Sequence, residues 1–212
     1  MNNLANIKDL GVVAYNDTWE QMQEFTNLRD VNTLDEFWIL QHPDTYTLGL
    51  AGDPSHILNQ NHSIPIIKTD RGGQVTFHGL GQLVIYTLID IKRLSLSIRN
   101  LVELIENSII DYLNSLGIIA TGSRSAPGVY VNDKKIASLG LKVRRGCTYH
   151  GLSFNVDMDL GLFKNINVCG YSNLEVTQLK DELLKLGVNH QLDISKVGAN
   201  LASHLINRLY QK

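Results

Sequence analysis

The residues able to do chemistry in this chain fall in three stretches. The first is Arg71-Gly72-Gly73-Gln74-Val75-Thr76-Phe77-His78-Gly79-Leu80-Gly81-Gln82, with four glycines and one histidine in twelve residues. Glycine lets the main chain approach a ligand closely, and exposed amides there could bind a carbonyl or carboxylate. Arg71 would add a charged donor. The plainer reading is a glycine turn. The stretch matches neither the phosphate loop ending in Gly-Lys-Ser/Thr nor the dinucleotide glycine fingerprint, so no motif points to a nucleotide. The second stretch is Lys134-Lys135, leading into Ile136-Ala137-Ser138-Leu139-Gly140. A lysine at a strand start is ordinarily solvated. Pointing inward, desolvation would make Lys135 a usable base. The third is Asn167-Val168-Cys169-Gly170-Tyr171, where a cysteine beside a glycine lies within reach of a substrate. Cys147 is the other thiol, and taken singly either cysteine reads as structural. Spacing alone does not bring Cys169 near Lys135 or His78.

The elements that must position these residues are legible from periodicity. Residues 10–15 read as an opening strand, and Thr18 as the cap of a helix carrying Trp19, Met22 and Phe25 on one face. Residues 37–41, 46–49 and 64–68 read as strands separated by turns. The glycine-rich stretch reads as a loop feeding the apolar strand 83–89. The longest helix covers 98–116, with a stripe of Leu101, Leu104, Ile105, Ile109, Tyr112 and Leu116, and Gly117 as its stop. Residues 128–131 and 136–143 form a hairpin turning at Asn132-Asp133, with a third strand at 148–156 beside them. A last helix starts at Asp193 or Ser195 and presents Val197, Leu201, Leu205 and Leu209. This order predicts a mixed β-sheet flanked by helices, α/β in content and α+β in order, forming one domain over residues 1–212.

Composition sets the outer bounds. Of 212 residues, 43% are hydrophobic and 19% charged, which argues against disorder. A net charge of −2 gives no field to steer a nucleic acid. The densest positive cluster, Lys142, Arg144 and Arg145, is either a solvated strand face or a docking surface for an acidic carrier protein. Two cysteines without a Cys-x-x-Cys or His-x-x-x-His spacing suggest neither a disulfide framework nor a metal site, and a reducing, cytoplasmic location is expected. No signal or transit peptide and no membrane span is expected either.

Together these stretches resemble the lipoyl(octanoyl) transferase family. The resemblance runs through Arg71-Gly72-Gly73-x-x-Thr76-x-His78-Gly79-x-Gly81-Gln82-x-x-x-Tyr86, Gly128-Val129-Tyr130 and Lys135-Ile136-Ala137-Ser138-Leu139-Gly140. It continues in Arg145-Gly146-x-x-x-His150-Gly151-Leu152-x-x-Asn155 and Ile166-x-x-Cys169-Gly170. Five motifs in order over residues 71–171 make a specific pattern. Many members carry proline where this chain has Leu80 and Thr87. The resemblance implies a catalytic domain like that of biotin and lipoate protein ligases. It implies Cys169 as the acyl-thioester nucleophile, with Lys135 adjusting its ionisation, and no cofactor or metal. Arg71, Gly72, Gly73, Gln74, Val75, Thr76, Phe77 and His78, then Ser138, Leu139 and Gly140, then Gly151, Leu152 and Ser153 would line the acyl site. The implied donor is octanoyl-acyl carrier protein. The implied acceptors are lipoyl domains of 2-oxoacid dehydrogenase complexes and the glycine cleavage H protein. The rival readings are an ATP-dependent lipoate or biotin ligase, a non-catalytic carrier-binding module, and a cysteine hydrolase using His78 or His150.

Overall fold

The computed structural model describes residues 5–59, 63–123 and 126–210; residues 1–4, part of the N-terminal segment in which no signal or transit peptide is expected, lie outside them. In chain order the elements are β1 (Ala5–Val12), α1 (Tyr15–Leu28), β2 (Asp35–Gln41), β3 (Thr45–Leu48), β4 (Ile66–Lys68), β5 (Val75–His78) and β6 (Gln82–Leu88). Then come α2 (Ile98–Ser115), β7 (Thr121–Gly122), β8 (Gly128–Val131), β9 (Lys134–Arg144), β10 (Cys147–Asn155), α3 (Leu179–Lys185) and α4 (Ile194–Tyr210). A seven-stranded sheet runs β1-β2-β6-β10-β9-β8-β7, and a three-stranded sheet runs β4-β3-β5. Each is mixed: β1 lies parallel to β2 and β4 to β3, while the other neighbours are antiparallel.

The helices α2 and α4 cover one face of the large sheet. Their stripes, Leu101, Ile105 and Ile109 with Leu201 and Leu205, pack on Leu83, Ile85, Val129, Leu152 and Phe154. The N-terminus of α2 is capped by Ser97, whose hydroxyl accepts the Asn100 amide, and Gly117, at φ 78°, ends the run. On the opposite face α1 contributes Met22 to a second apolar cluster with Trp38, Val84, Tyr86 and Tyr149. The small sheet builds a third cluster of its own, packing Tyr46, Val75 and Phe77 against Met158, Phe163, Ile166 and Val168 from the segment after β10. The site lies in the seam between α1, the small sheet and the large one. Among the described residues no helix is long and apolar enough to cross a membrane.

Several elements differ from the sequence reading. The first helix begins at Tyr15, not at a Thr18 cap: Thr18 is buried inside the helix and its hydroxyl donates to the Ala14 carbonyl. The first strand is 5–12, pinned by parallel pairing to β2 at long range. The glycine-rich stretch is not all loop, because residues 75–78 form β5 against β3. Val75 and Phe77 turn into the small core while Thr76 and His78 face the seam, the ordinary alternation of a strand. Its four residues were hidden by glycines on both sides. Gly81 is required: at φ 85° a side chain there would come 1.8 Å from the Asp157 carbonyl. Helix α3 was not anticipated. The β8–β9 hairpin turns at Asn132-Asp133 as expected, both at positive φ (47° and 64°), which suits a type I′ turn. Thr87 sits mid-strand with its hydroxyl donating to the His150 carbonyl at 3.3 Å, a bond proline could not make.

Candidate active site

Lys135 is 1% exposed. It is drawn in at the start of β9 by two main-chain bonds to the segment before α3: its amide donates to Glu175 O and its carbonyl accepts from Thr177 N. Inside, Nζ donates to Pro127 O at 2.9 Å, contacts the Tyr130 hydroxyl at 3.2 Å and lies 3.1 Å from Cys169 Sγ. The ammonium has room only because residue 128 is glycine. A Cβ there would stand 2.5 Å from Lys135 Cε, and φ is 147°.

Cys169 occupies a single turn, Val168–Gly170, with Val168 buried as its anchor. Its own backbone is left-handed (φ 55°, ψ 20°), uncommon outside glycine and of the kind that gathers at functional sites. Cys169 is half-buried, whereas Cys147 is buried in β10, where desolvation pushes its thiol up and keeps it protonated.

Beside the sulfur opens a narrow slot of about 50 Å³ that continues into an open mouth. The register of the large sheet builds its floor as two rows of cross-strand neighbours. One is Val84, Ser153 and Ser138; the other is Tyr86, Gly151 and Gly140. The lining includes Arg71, Gly73, Gln74, Val75, Thr76, His78, Ser138, Leu139, Gly140, Gly151, Leu152 and Ser153 from the sequence reading. Two residues of that reading stand elsewhere. The Gly72 amide donates to Leu141 O, stitching the loop to the edge of β9, and Phe77 packs in the small core against Phe163. Tyr15, Val84, Tyr86 and His150 also line the slot and were not singled out for it. Tyr86 and His150 stood inside the motifs; Tyr15 had no signal, because only the docking of α1 brings it there.

Arg71 has a different part from the one its type suggested. Its guanidinium donates to Thr47 O and Oγ1 and to the carbonyls of Gly72 and Gln74, so it holds the loop in shape. A hydrogen-bond relay follows: Thr47 Oγ1 meets His78 Nε2, His78 Nδ1 meets Gln82 Oε1, and Gln82 Nε2 donates to Asn155 Oδ1. Both nitrogens of His78 are thereby engaged, and Cys169 has a lysine rather than a histidine as its partner. His150 Nε2 donates to Asp70 Oδ1 at 2.9 Å, leaving Nδ1 without a partner. Burial raises the Asp70 carboxyl, but bonds from His150, Tyr149 and Trp19 outweigh it and bring it down to about 2. Desolvation pushes the three clustered histidines downward, His42 to about 4 and His78 well below its ordinary value, with His150 lowered as well. The three imidazoles around Tyr15 are therefore neutral at physiological pH, while Asp70 and Arg71 beside them stay charged. Among the described residues no three His, Cys, Asp or Glu side chains are grouped to hold a metal ion.

Known proteins resemble this chain in sequence and in fold. The chain is 54% identical over 203 residues to an octanoyltransferase of Chromobacterium violaceum, covering 96% of this chain and 95% of that one. It is 52% identical over 206 residues to an octanoyltransferase of Dechloromonas aromatica, covering 97% of each. In fold it is similar to a lipoate-protein ligase A solved with ATP (TM-score 0.75, 14% identity, 99% of this chain and 86% of that one). A biotin protein ligase of Aquifex aeolicus is a further structural neighbour (TM-score 0.55, 12% identity, 97% and 69%). The family model described as the lipoyl protein ligase A/B catalytic domain matches residues 14–206. With a match of that extent and relatives at half identity over nearly the whole chain, this protein belongs to the lipoyl protein ligase A/B catalytic-domain family.

Proposed function

We propose that this octanoyltransferase carries its acyl group on Cys169 and passes it to the side-chain amine of a lysine in a lipoyl domain. The observation that carries the reading is the 3.1 Å contact between Lys135 Nζ and Cys169 Sγ at the edge of the slot. A cation at that distance favours the thiolate, the nucleophilic form of the sulfur. The thiolate attacks the carbonyl of an acyl thioester, the donor sulfur leaves, and Lys135 gives it a proton. Cys169 is then acylated and Lys135 neutral. In the second half the acceptor amine attacks the Cys169 thioester and Lys135 takes the proton it sheds. Cys169 thiolate departs, and the starting pair is restored. Exchange between thioesters is nearly balanced and thioester to amide runs downhill, so ATP is not consumed.

The developing oxyanion has a candidate partner. Pairing of β8 with β9 stops at Ser138, and the Gly72 amide takes up the Leu141 carbonyl two residues past Leu139. By strand alternation the Leu139 amide faces the same open edge, between those two contacts. The slot holds the chain: at about 0.8 kcal/mol per buried methylene, eight carbons contribute about 5 kcal/mol. Octanoyl-acyl carrier protein is the proposed donor. Lys142 and Arg144 at the far end of β9 and Arg145 in the turn after it, the last two exposed, offer an acidic carrier a docking face. The proposed acceptors are lipoyl domains of 2-oxoacid dehydrogenase complexes and the glycine cleavage H protein.

The test is to incubate the full chain with octanoyl-carrier protein and apo lipoyl domain, without ATP, and weigh all three. An octanoyl adduct on Cys169 and an octanoylated acceptor are expected, and Cys169→Ser abolishes transfer. Transfer that needs ATP, or that survives Cys169→Ser, overturns the reading.

A further inference from the structure

One buried carboxylate takes no part in the steps above, yet stands a single peptide away from Lys135. Glu106 lies on α2, and its Oε1 accepts the Gly128 amide at 2.7 Å. The carbonyl of that same peptide unit, belonging to Pro127, accepts from Lys135 Nζ at 2.9 Å. The chain of contacts therefore runs from Glu106 through the Pro127–Gly128 peptide to Lys135, and on to Cys169. A peptide group is conjugated, so an anion at its N–H end shifts electron density toward its oxygen and makes that oxygen a stronger acceptor. The ammonium's other contacts are a tyrosine hydroxyl and the sulfur itself. Among the described residues no carboxylate is recorded in a salt bridge with Lys135; the neighbouring Lys134 takes Glu175. Gly128 adds a second constraint, since its missing Cβ is what lets the peptide lie against the lysine.

We propose that Glu106 is a positioning residue that acts on Lys135 through the Pro127–Gly128 peptide, holding the ammonium against Cys169 and favouring the ammonium–thiolate pair. The proposal rests on the reading of Cys169 and Lys135 given above. The charged and titratable groups facing this relay are Lys135 on β9, Tyr130 on β8, Cys169 and Tyr171 in the cysteine turn and just after it, Arg71 from the loop before β5, and Glu103 on α2. Burial raises the Glu106 carboxyl, against the downward pull of the Gly128 amide and Lys135.

The experiment compares full-length wild type, Glu106→Gln and Lys135→Met. It follows alkylation of Cys169 by iodoacetamide against pH, read at the Cys169 peptide by mass spectrometry, together with kcat and KM for transfer. Gln is isosteric and can still accept the Gly128 amide, so a merely structural role is rescued by it. The relay instead predicts alkylation about tenfold slower near neutral pH, a profile midpoint about one pH unit higher, and lower kcat at unchanged KM. A wild-type midpoint in Glu106→Gln overturns the relay. Unchanged alkylation in Lys135→Met overturns the reading beneath it as well, so the two failures are distinguishable. Should the Gln variant not fold, the wild-type protein decides by NMR: the Gly128 amide proton is expected to shift with the midpoint of Cys169 alkylation. A Gly128 resonance indifferent to pH across that midpoint overturns the relay.

Discussion

At the scale of single residues, surroundings separate groups that look alike in sequence. Cys147 and Cys169 are both thiols near glycine, but one is enclosed in a strand and the other perches on a left-handed turn against a lysine. Lys135 follows another lysine, and only burial tells them apart: Lys134 reaches outward to Glu175 at 2.7 Å. Residue type alone did not separate the two thiols or the two lysines; the motif resemblance singled out Cys169 and Lys135, and only partners distant in sequence give each its surroundings. His42 shows the same dependence. Its Nδ1 donates to Val13 O and its Nε2 accepts from Tyr86, a neutral ring with both nitrogens used. Burial pushes it down to about 4 from an ordinary 6.5. The unfolded chain therefore binds the proton first as pH falls. Stability is full above about pH 6.5 and is lost as pH drops toward 4, His42 alone costing roughly 2 kcal/mol at pH 5. His78 and His150 act with the same sign. Urea unfolding at pH 7 and pH 5 checks this: His42→Asn is expected to flatten the difference, and identical slopes in variant and wild type would count against it.

Secondary-structure elements were readable where a long period or a turn signature exists. The stripe of α2 and the Asn132-Asp133 turn needed nothing beyond local sequence, since apolar spacing and left-handed tolerance are properties of the residues themselves. β5 and α3 were missed because each is short, four and seven residues, and is held mainly by its neighbours. The β8–β9 hairpin carries a testable consequence. Gly128 gives Lys135 passage beneath the Pro127 peptide, so Gly128→Ala forces either strand or side chain to move. A displacement near 1 Å is enough to lower transfer about a hundredfold. Cys169 alkylation should slow with it, while circular dichroism stays that of the wild type. Full activity in Gly128→Ala would show that Lys135 does not need this path.

At the scale of the whole molecule, one buried cluster ties distant parts of the chain together. Asp35, at the start of β2, accepts from Arg29 at the end of α1, from Arg93 and the Asp90 amide after β6, and from the hydroxyl of Tyr210 at the end of α4. The Asp35 and Arg29 side chains are almost wholly enclosed, at 0% and 3% exposure. Removing one partner leaves the other charged and buried, so Asp35→Ala is expected to cost about 3–5 kcal/mol, read from denaturant unfolding. A loss under about 1 kcal/mol would mean the cluster is no more than a surface pair.

The sequence by itself determined the helix-covered mixed sheet, the two long amphipathic helices, the central hairpin and the residue types required for acyl transfer. These follow from periodicity, turn chemistry and motif order, all local in the chain. Tertiary structure alone decided that Lys135 meets Cys169 and that Arg71 shapes the loop. It also brought Tyr15 into the slot from α1 and set Glu106 one peptide from the lysine. Each of those depends on strand register and helix docking between segments far apart, where packing and hydrogen-bond satisfaction, not local preference, select the contact.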